Sequence, residues 1–290
     1  MSTKVACKLC GSADVKPIFS EATRGKQYTS YHCPDCDLYQ TLGDVAPVSP
    51  DYIDLTADDL TDDHIYLQRA HKHPAFREWL SNVRKFDEAF GKGESRNVLD
   101  IGCGVGGFLD FAAENGLRTY GFDASKSQVD VAQRQHADVR NAITLQDYMQ
   151  SLGQDMKFDF ITMWDVFEHI REPFPLLEDV KRYLTPNGIF FISVPGGGPI
   201  PTRMKVQKLL KQQSAGLIPW EHVFYHTRRS LKIVFRKAGF QVVKISGVEP
   251  YIRTMSVHEG IRRVAHRLLK KTPYAFQFGA YARVKRQSGR

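Results

Sequence analysis

Apolar positions along this chain change their spacing several times, and the changes predict its elements. Within residues 65–90, Trp79, Leu80, Val83, Phe86 and Phe90 recur at helical intervals, and Gly91-Lys92-Gly93 closes that helix. Short apolar runs of strand length then alternate with helical stretches. Residues 98–101 read as a buried strand, 107–115 as a helix stopped by Gly116, and 119–123 as a second strand. Ser125 stands where it caps the next helix, with Gln128 at the capping-box position. A weak strand falls near 138–142 and a strong fourth one at 158–164. The helix at 174–184 ends in Thr185-Pro186-Asn187-Gly188, a turn signal, before a fifth strand at 189–194. Pro195-Gly196-Gly197-Gly198-Pro199 reads as a flexible hinge. Basic helices at 202–213 and 257–271 flank a helix at 228–238 and a strand at 240–248, and a last strand covers 274–284. Strands alternating with helices predict an α/β fold with a doubly wound, mostly parallel sheet.

The first two of those strands carry the most informative motif. Asp100-Ile101-Gly102-Cys103-Gly104-Val105-Gly106-Gly107 joins strand to helix, and Asp123 closes the next strand. Such a βαβ unit binds a nucleotide: glycines admit a close backbone approach, the helix start offers free N–H groups, and the acid accepts ribose hydroxyls. Gly102, Gly104 and Gly107 also satisfy the dinucleotide pattern G-x-G-x-x-G, which alone is a weak signal. Asp100 argues against it, because a carboxylate two residues before the first glycine repels a pyrophosphate and favours a cation such as the amino group of a methionine moiety.

Four of the five cysteines form Cys7-x2-Cys10 and Cys33-x2-Cys36, with 22 residues between the pairs. The knuckle contexts Cys-Lys-Leu-Cys-Gly and Cys-Pro-Asp-Cys-Asp predict a structural zinc site with four thiolate ligands and no open position for chemistry. Cys103, inside the glycine turn, reads as a small residue tolerated there. The expected division is a zinc module at 1–45, an acidic linker and N-terminal helix at 46–96, and a nucleotide-binding domain at 97–290. Apolar content of 42% and charge of 25% suit a globular chain; no apolar run reaches membrane-span length and the start lacks a signal-peptide core, so a cytoplasmic protein is expected. The net charge of +8 is uneven, with 20 Lys/Arg against 3 Asp/Glu in residues 203–290. That excess suggests an anionic partner: a phosphorylated small molecule, an acidic glycan, a membrane surface or RNA.

In order, Val-Leu-Asp-Ile-Gly-Cys-Gly, Gly-Phe-Asp-Ala-Ser, Phe-Asp-Phe-Ile-Thr-Met-Trp-Asp-Val-Phe-Glu-His-Ile, Leu-Thr-Pro-Asn-Gly-Ile-Phe-Phe-Ile-Ser-Val-Pro and Glu-His-Val-Phe-Tyr-His-Thr-Arg-Arg-Ser-Leu occur along residues 97–240. This series resembles class I S-adenosylmethionine-dependent methyltransferases, in particular the branch with the ubiquinone-pathway O-methyltransferases. The cysteine module resembles the zinc ribbon preceding methyltransferase domains in deoxysugar and surface-polysaccharide pathways. The resemblance implies a seven-stranded Rossmann-like sheet whose last strand, here 274–284, runs antiparallel. It implies that Gly102, Gly104 and Gly106, beside Asp100, line the methionine moiety of S-adenosylmethionine, that Asp123 holds its ribose, that Thr144 and Leu145 lie beside its adenine, and that Trp164 and Asp165 approach the methyl donor.

On the acceptor side the same resemblance singles out Asp165, Glu168, His169 and His222, which stand where relatives show Glu-x-x-Glu-His and a later histidine holding a divalent metal. Asp replaces the first Glu, so a catalytic metal, a histidine base (His222 or His169) and alignment alone all stay open. His226 is a third suggestive histidine, whereas His71, His73 and His136 read as solvated. The expected function is O-methylation of a small molecule or saccharide: a sugar, glycan, lipid-linked intermediate or quinone-like precursor. The alternative is an RNA methyltransferase contacting nucleic acid through the basic region, against which stand the lack of a stacking stripe of aromatics and of an Asn-Pro-Pro-Tyr motif. A peripheral membrane contact through the basic helix at 257–271 is a further expectation.

Overall fold

The computed structural model of the protein describes residues 5–23, 26–42, 74–87, 90, 96–153, 155–201, 222–248 and 268–285. The expected acidic linker, His71, His73, the helix at 202–213 and most of that at 257–271 lie outside the described residues.

Strands β1 (Lys16–Thr23), β2 (Lys26–Cys33) and β3 (Leu38–Leu42) form an antiparallel meander. Each Cys-x2-Cys knuckle closes through a residue in the left-handed region, Gly11 after the first and Asp37 after the second. Gly11 N–H donates to the Cys7 carbonyl and Asp37 N–H to that of Cys33, both at 2.8 Å. Asp37 lacks glycine's freedom there, and His32 Nε2 lies 2.9 Å from its carboxylate.

Beyond the meander, α1 (Pro74–Phe86) presents Phe76, Trp79, Leu80 and Val83 as one buried stripe. Then follow β4 (Asn97–Ile101), α2 (Gly107–Glu114), β5 (Arg118–Asp123), α3 (Lys126–Ala132), β6 (Val139–Asn141) and α4 (Leu145–Leu152). Strand β7 (Phe158–Trp164) leads through a 3₁₀ turn (Phe167–His169) into α5 (Pro173–Tyr183) and β8 (Leu184–Pro195). The last elements are β9 (Phe224–Tyr225), α6 (Arg228–Lys237), β10 (Phe240–Gly247) and β11 (Gln277–Val284).

Seven strands form one sheet in the order β10-β11-β8-β7-β4-β5-β6, with β11 antiparallel to both neighbours and the other pairs parallel. This is the doubly wound architecture and the antiparallel last strand that the sequence led us to expect. Alternation along β8 shows how both faces are filled. Phe190, Ile192 and Val194 join a core with α5 and α6, while Ile189 and Phe191 join another with α1 and α2.

Local expectations needed four corrections. Ser125 makes no side-chain cap: its hydroxyl meets Ser127 at 3.1 Å, and Gln128 is buried, so the capping box is absent. Strand five starts earlier, because the turn at 185–188 is absorbed as a bulge while the partner of β7 jumps from Leu184 to Ile189. The glycine hinge after β8 is packed, since a Cβ at Gly196 or Gly198 would collide with the Ala275 or Pro273 carbonyl. His136 is buried, not solvated, with Nε2 2.8 Å from Asp110 and Nδ1 3.2 Å from Thr119 Oγ1. Among the described residues no helix is long and apolar enough to cross a membrane.

Candidate functional site

The glycine turn after β4 is built as its motif requires. Gly102 and Cys103 both donate backbone N–H groups to the Phe122 carbonyl, tying the turn to the end of β5. Gly102 and Gly106 sit at φ 74° and 89°, where a side chain is strained. At Gly102 space is also closed, as an added Cβ would lie 2.5 Å from Val166 Cγ2. That approach sets the turn against the loop that follows β7.

Asp123 is buried at the tip of β5, and each carboxylate oxygen takes one backbone N–H at 2.8 Å, Oδ2 from Gly104 and Oδ1 from Ser125. An ionised carboxylate has about four acceptor sites, which suits it to accept hydroxyl as well as N–H donors. Asp100 lies deeper than its motif suggested. It is 2% exposed, accepts a 2.7 Å hydrogen bond from Thr162 Oγ1, and is raised well above the usual carboxylate range by burial and then by the charge of Asp123. Thr144 is the N-cap of α4, accepting from the Asp147 N–H, and Leu145 packs into the core. Ile143, just ahead of them, is a large apolar side chain left 67% exposed. Trp164 ends β7 among Phe76, Phe108 and Phe191, with ring centroids 4.6–5.2 Å away.

Beyond β7, Asp165 takes the left-handed conformation at φ 55°. Its Oδ1 accepts a 2.6 Å hydrogen bond from Gln277 Nε2, which also lies 2.6 Å from Ser193 Oγ. Sequence reasoning missed Gln277, which comes from the far end of the chain. The 3₁₀ turn then aims Glu168 inward, fully buried, with neither carboxylate oxygen hydrogen-bonded. Burial, followed by the charge of Asp165, holds the Glu168 carboxyl well above its ordinary pKa. His222, ahead of β9, has a buried Nδ1 without a partner, and burial with the neighbouring His169 pushes its pKa down to about 3. Ligand-type atoms of Glu168, His169 and His222 all lie within 4.8 Å of one another, and the two rings stand 4.9 Å apart. Asp165 is outside that set, and so is His226, which is buried and lies 3.3 Å from Ser230 Oγ.

The four cysteines converge as expected. Their sulfurs also lie within 4.8 Å of one another, with Cys7–Cys36 at 3.4 Å and Cys10–Cys33 at 3.5 Å. These separations far exceed a disulfide bond of about 2.0 Å and approach the roughly 3.8 Å edge of a zinc–thiolate tetrahedron with bonds of about 2.3 Å. The donor set fits a structural zinc ion.

A doubly wound sheet with a glycine turn and a terminal acid at its carboxyl edge defines a nucleotide-binding α/β protein. The profile of the family described as "Methyltransferase domain" matches residues 71–245, and the chain belongs to that family. Among curated relatives, the ubiquinone biosynthesis O-methyltransferase of Pasteurella multocida (strain Pm70) is 32% identical over 111 residues, or 34% of this chain and 46% of that protein. The protein of the same description from Aeromonas salmonicida (strain A449) is 28% identical over 185 residues, or 61% and 73%. The aligned part thus spans about half the length of the first of these relatives. Among solved structures, a complex between the Haloferax volcanii Trm112 methyltransferase activator and a methyltransferase aligns with a TM-score of 0.49 at 16% identity, over 81% of this chain and 100% of that one.

Proposed function

We propose that this chain is an S-adenosylmethionine-dependent O-methyltransferase acting on a hydroxyl of a small molecule, with a sugar or other saccharide, free or lipid-linked, as the favoured acceptor class. The observation that carries the reading is the closeness of Val166 to Gly102, where an added Cβ would lie 2.5 Å from Val166 Cγ2, because it sets the glycine turn against the loop bearing Glu168 and His169. Donor and acceptor machinery then share one edge of the sheet. When bound, S-adenosylmethionine supplies an electrophilic methyl group on a sulfonium.

The residues divide by position. Gly102, Gly104 and Gly106 give backbone access to the methionine part, with Asp100 beneath them, and Asp123 takes the ribose hydroxyls. Thr144 and Leu145, with exposed Ile143, border the adenine, while Trp164 and Asp165 stand nearest the methyl group. Alignment of acceptor and methyl group is the main task of such a site, since the displacement is in-line. Removing or masking the acceptor proton is the other task.

Glu168, His169 and His222 serve that second task. A buried carboxylate without hydrogen bonds, with ligand-type atoms of two imidazoles within 4.8 Å of it, forms a donor set that fits Mg²⁺, Mn²⁺ or Zn²⁺. Those three side chains would hold the ion, and it would supply Lewis-acid polarisation of an acceptor oxygen. Cys7, Cys10, Cys33 and Cys36 would hold a separate structural zinc. In domain terms, a zinc module at 1–45 and a linker with α1 at 46–96 precede the catalytic part at 97–290.

Calorimetry tests both halves of the reading. S-adenosylhomocysteine binds the wild type, and Asp123→Ala weakens it at least tenfold, because hydrogen bonds to a charged group contribute about 1.5–3 kcal/mol. Mn²⁺ added to the zinc-loaded protein gives heat that Glu168→Gln abolishes. Unchanged nucleotide affinity in the first variant sinks the donor site, and unchanged Mn²⁺ heat in the second sinks the acceptor-side metal.

A further inference from the structure

Strand β9 is where the cysteine module and the acceptor-side cluster become one structure. Tyr225 and Phe224 pair with Tyr39 and Gln40, making β9 the fourth strand of the cysteine-bearing sheet. The ladder runs on to Thr41, whose N–H donates to the Val223 carbonyl at 2.8 Å. On its other side, the Val223 N–H donates to the Glu168 carbonyl at 3.0 Å. One residue adjacent to His222 in sequence is therefore bonded to β3 through its C=O and to Glu168 through its N–H.

Further contacts run the same way. Thr227 Oγ1 donates to the Asp37 carbonyl at 2.9 Å, immediately after the second knuckle. Lys237 Nζ, at the end of α6, donates to the Leu9 and Cys10 carbonyls of the first knuckle at 3.1 and 3.2 Å. The His222 ring stands 5.3 Å from Tyr225, and Tyr225 packs with Tyr39 and Ile200. A two-residue strand has too few hydrogen bonds to hold itself in place and needs a template. Here β3 is that template, and Cys33 at the end of β2 with Cys36 just ahead of β3 fixes where it runs.

We propose that the four-cysteine sheet is a positioning element for the acceptor side of the site: β3, anchored by the knuckle at Cys33 and Cys36, fixes Val223 and thereby the approach of His222 to Glu168. The proposal rests on the reading of Glu168, His169 and His222 as acceptor-side machinery, and it assigns no chemistry to the cysteines themselves.

The test uses the full-length, zinc-loaded protein with isotopically labelled histidine, the His222 ring signal being assigned through His222→Gln. Zinc is removed with an organomercurial and chelator, and separately Thr41→Pro deletes the N–H that reaches Val223 while the cysteines stay intact. Each perturbation is expected to shift the His222 ring signal and to speed amide exchange at Val223 at least tenfold. Affinity for S-adenosylhomocysteine is expected to change less than threefold. An unmoved His222 signal after zinc removal overturns the proposal, and so does a parallel collapse of nucleotide affinity, which marks general loss of structure. Should Thr41→Pro fail to fold, the zinc-removal arm decides. A zinc-loaded wild type that never binds the nucleotide would instead refute the proposed function and leave the His222 comparison readable.

Discussion

Gln277 and Asp165 lie 112 positions apart and meet at 2.6 Å beside the carboxyl end of β7. Asp165 occupies a backbone region that costs a residue other than glycine about 1–2 kcal/mol, so its orientation needs external support. Gln277→Leu removes that donor and keeps the approximate volume. The expected outcome is a fall in kcat of at least tenfold with nucleotide affinity within threefold of wild type, and Gln277→Asn restores part of it. Equal loss in kcat and nucleotide affinity would show that Gln277 supports the whole turn instead. His226 gives a second prediction, on stability. Burial pushes its pKa down to about 3, against about 6.5 in the unfolded chain, so the unfolded state takes up the proton first as pH falls. Its contribution is complete above pH 6.5 and is lost from there down toward pH 3. Between pH 7.5 and 4.5 the wild type should lose on the order of 2 kcal/mol more than His226→Gln in urea unfolding. Parallel curves for the two proteins would contradict this. Gly102, Gly106, Asp123 and Glu168 could be picked out as candidates because the motifs that hold them are local in spacing. Gln277, Val223 and Ile143 could not, because a contact across a sheet or an exposed rim leaves no local pattern.

Among the elements, α1 shows how much a helical stripe can specify. Trp79 is fully buried at its centre, against Phe108 and Phe160 with ring centroids 5.0 and 5.6 Å away. Trp79→Ala should therefore cost about 3–5 kcal/mol, measured by denaturant unfolding, and a loss below 1 kcal/mol would mean that α1 docks loosely. The helix end is held differently, through Asn82, which donates to Tyr281 Oη and accepts from Lys244 Nζ. Most strands could be read from apolar runs, since a buried parallel strand is apolar on both faces. Strand β9 could not, because two residues are too short for any period to register. The capping box at Ser125 failed for a related reason. Asp123 already accepts the Ser125 N–H, and Gln128 is buried, so tertiary demands override the local rule.

For the whole molecule, the cysteine module is less separable than its spacing implied. Cys7, Cys33, Cys36 and Leu38 share one core with Leu231, Val234 and Phe235 of α6, and β9 completes their sheet. Fold class was legible because strand–helix alternation admits few topologies. The acceptor was not, since it depends on surfaces brought together only in three dimensions. The surplus of Lys and Arg in residues 203–290 is compatible with an anionic acceptor or with RNA, and charge alone does not separate them. Product analysis does. Incubation of the full chain with S-adenosylmethionine carrying an isotopically labelled methyl group and fractionated cell extract should place the label in the small-molecule and saccharide fraction, on an ether oxygen. Label confined to nucleic acid, or no transfer to any fraction, would contradict the account.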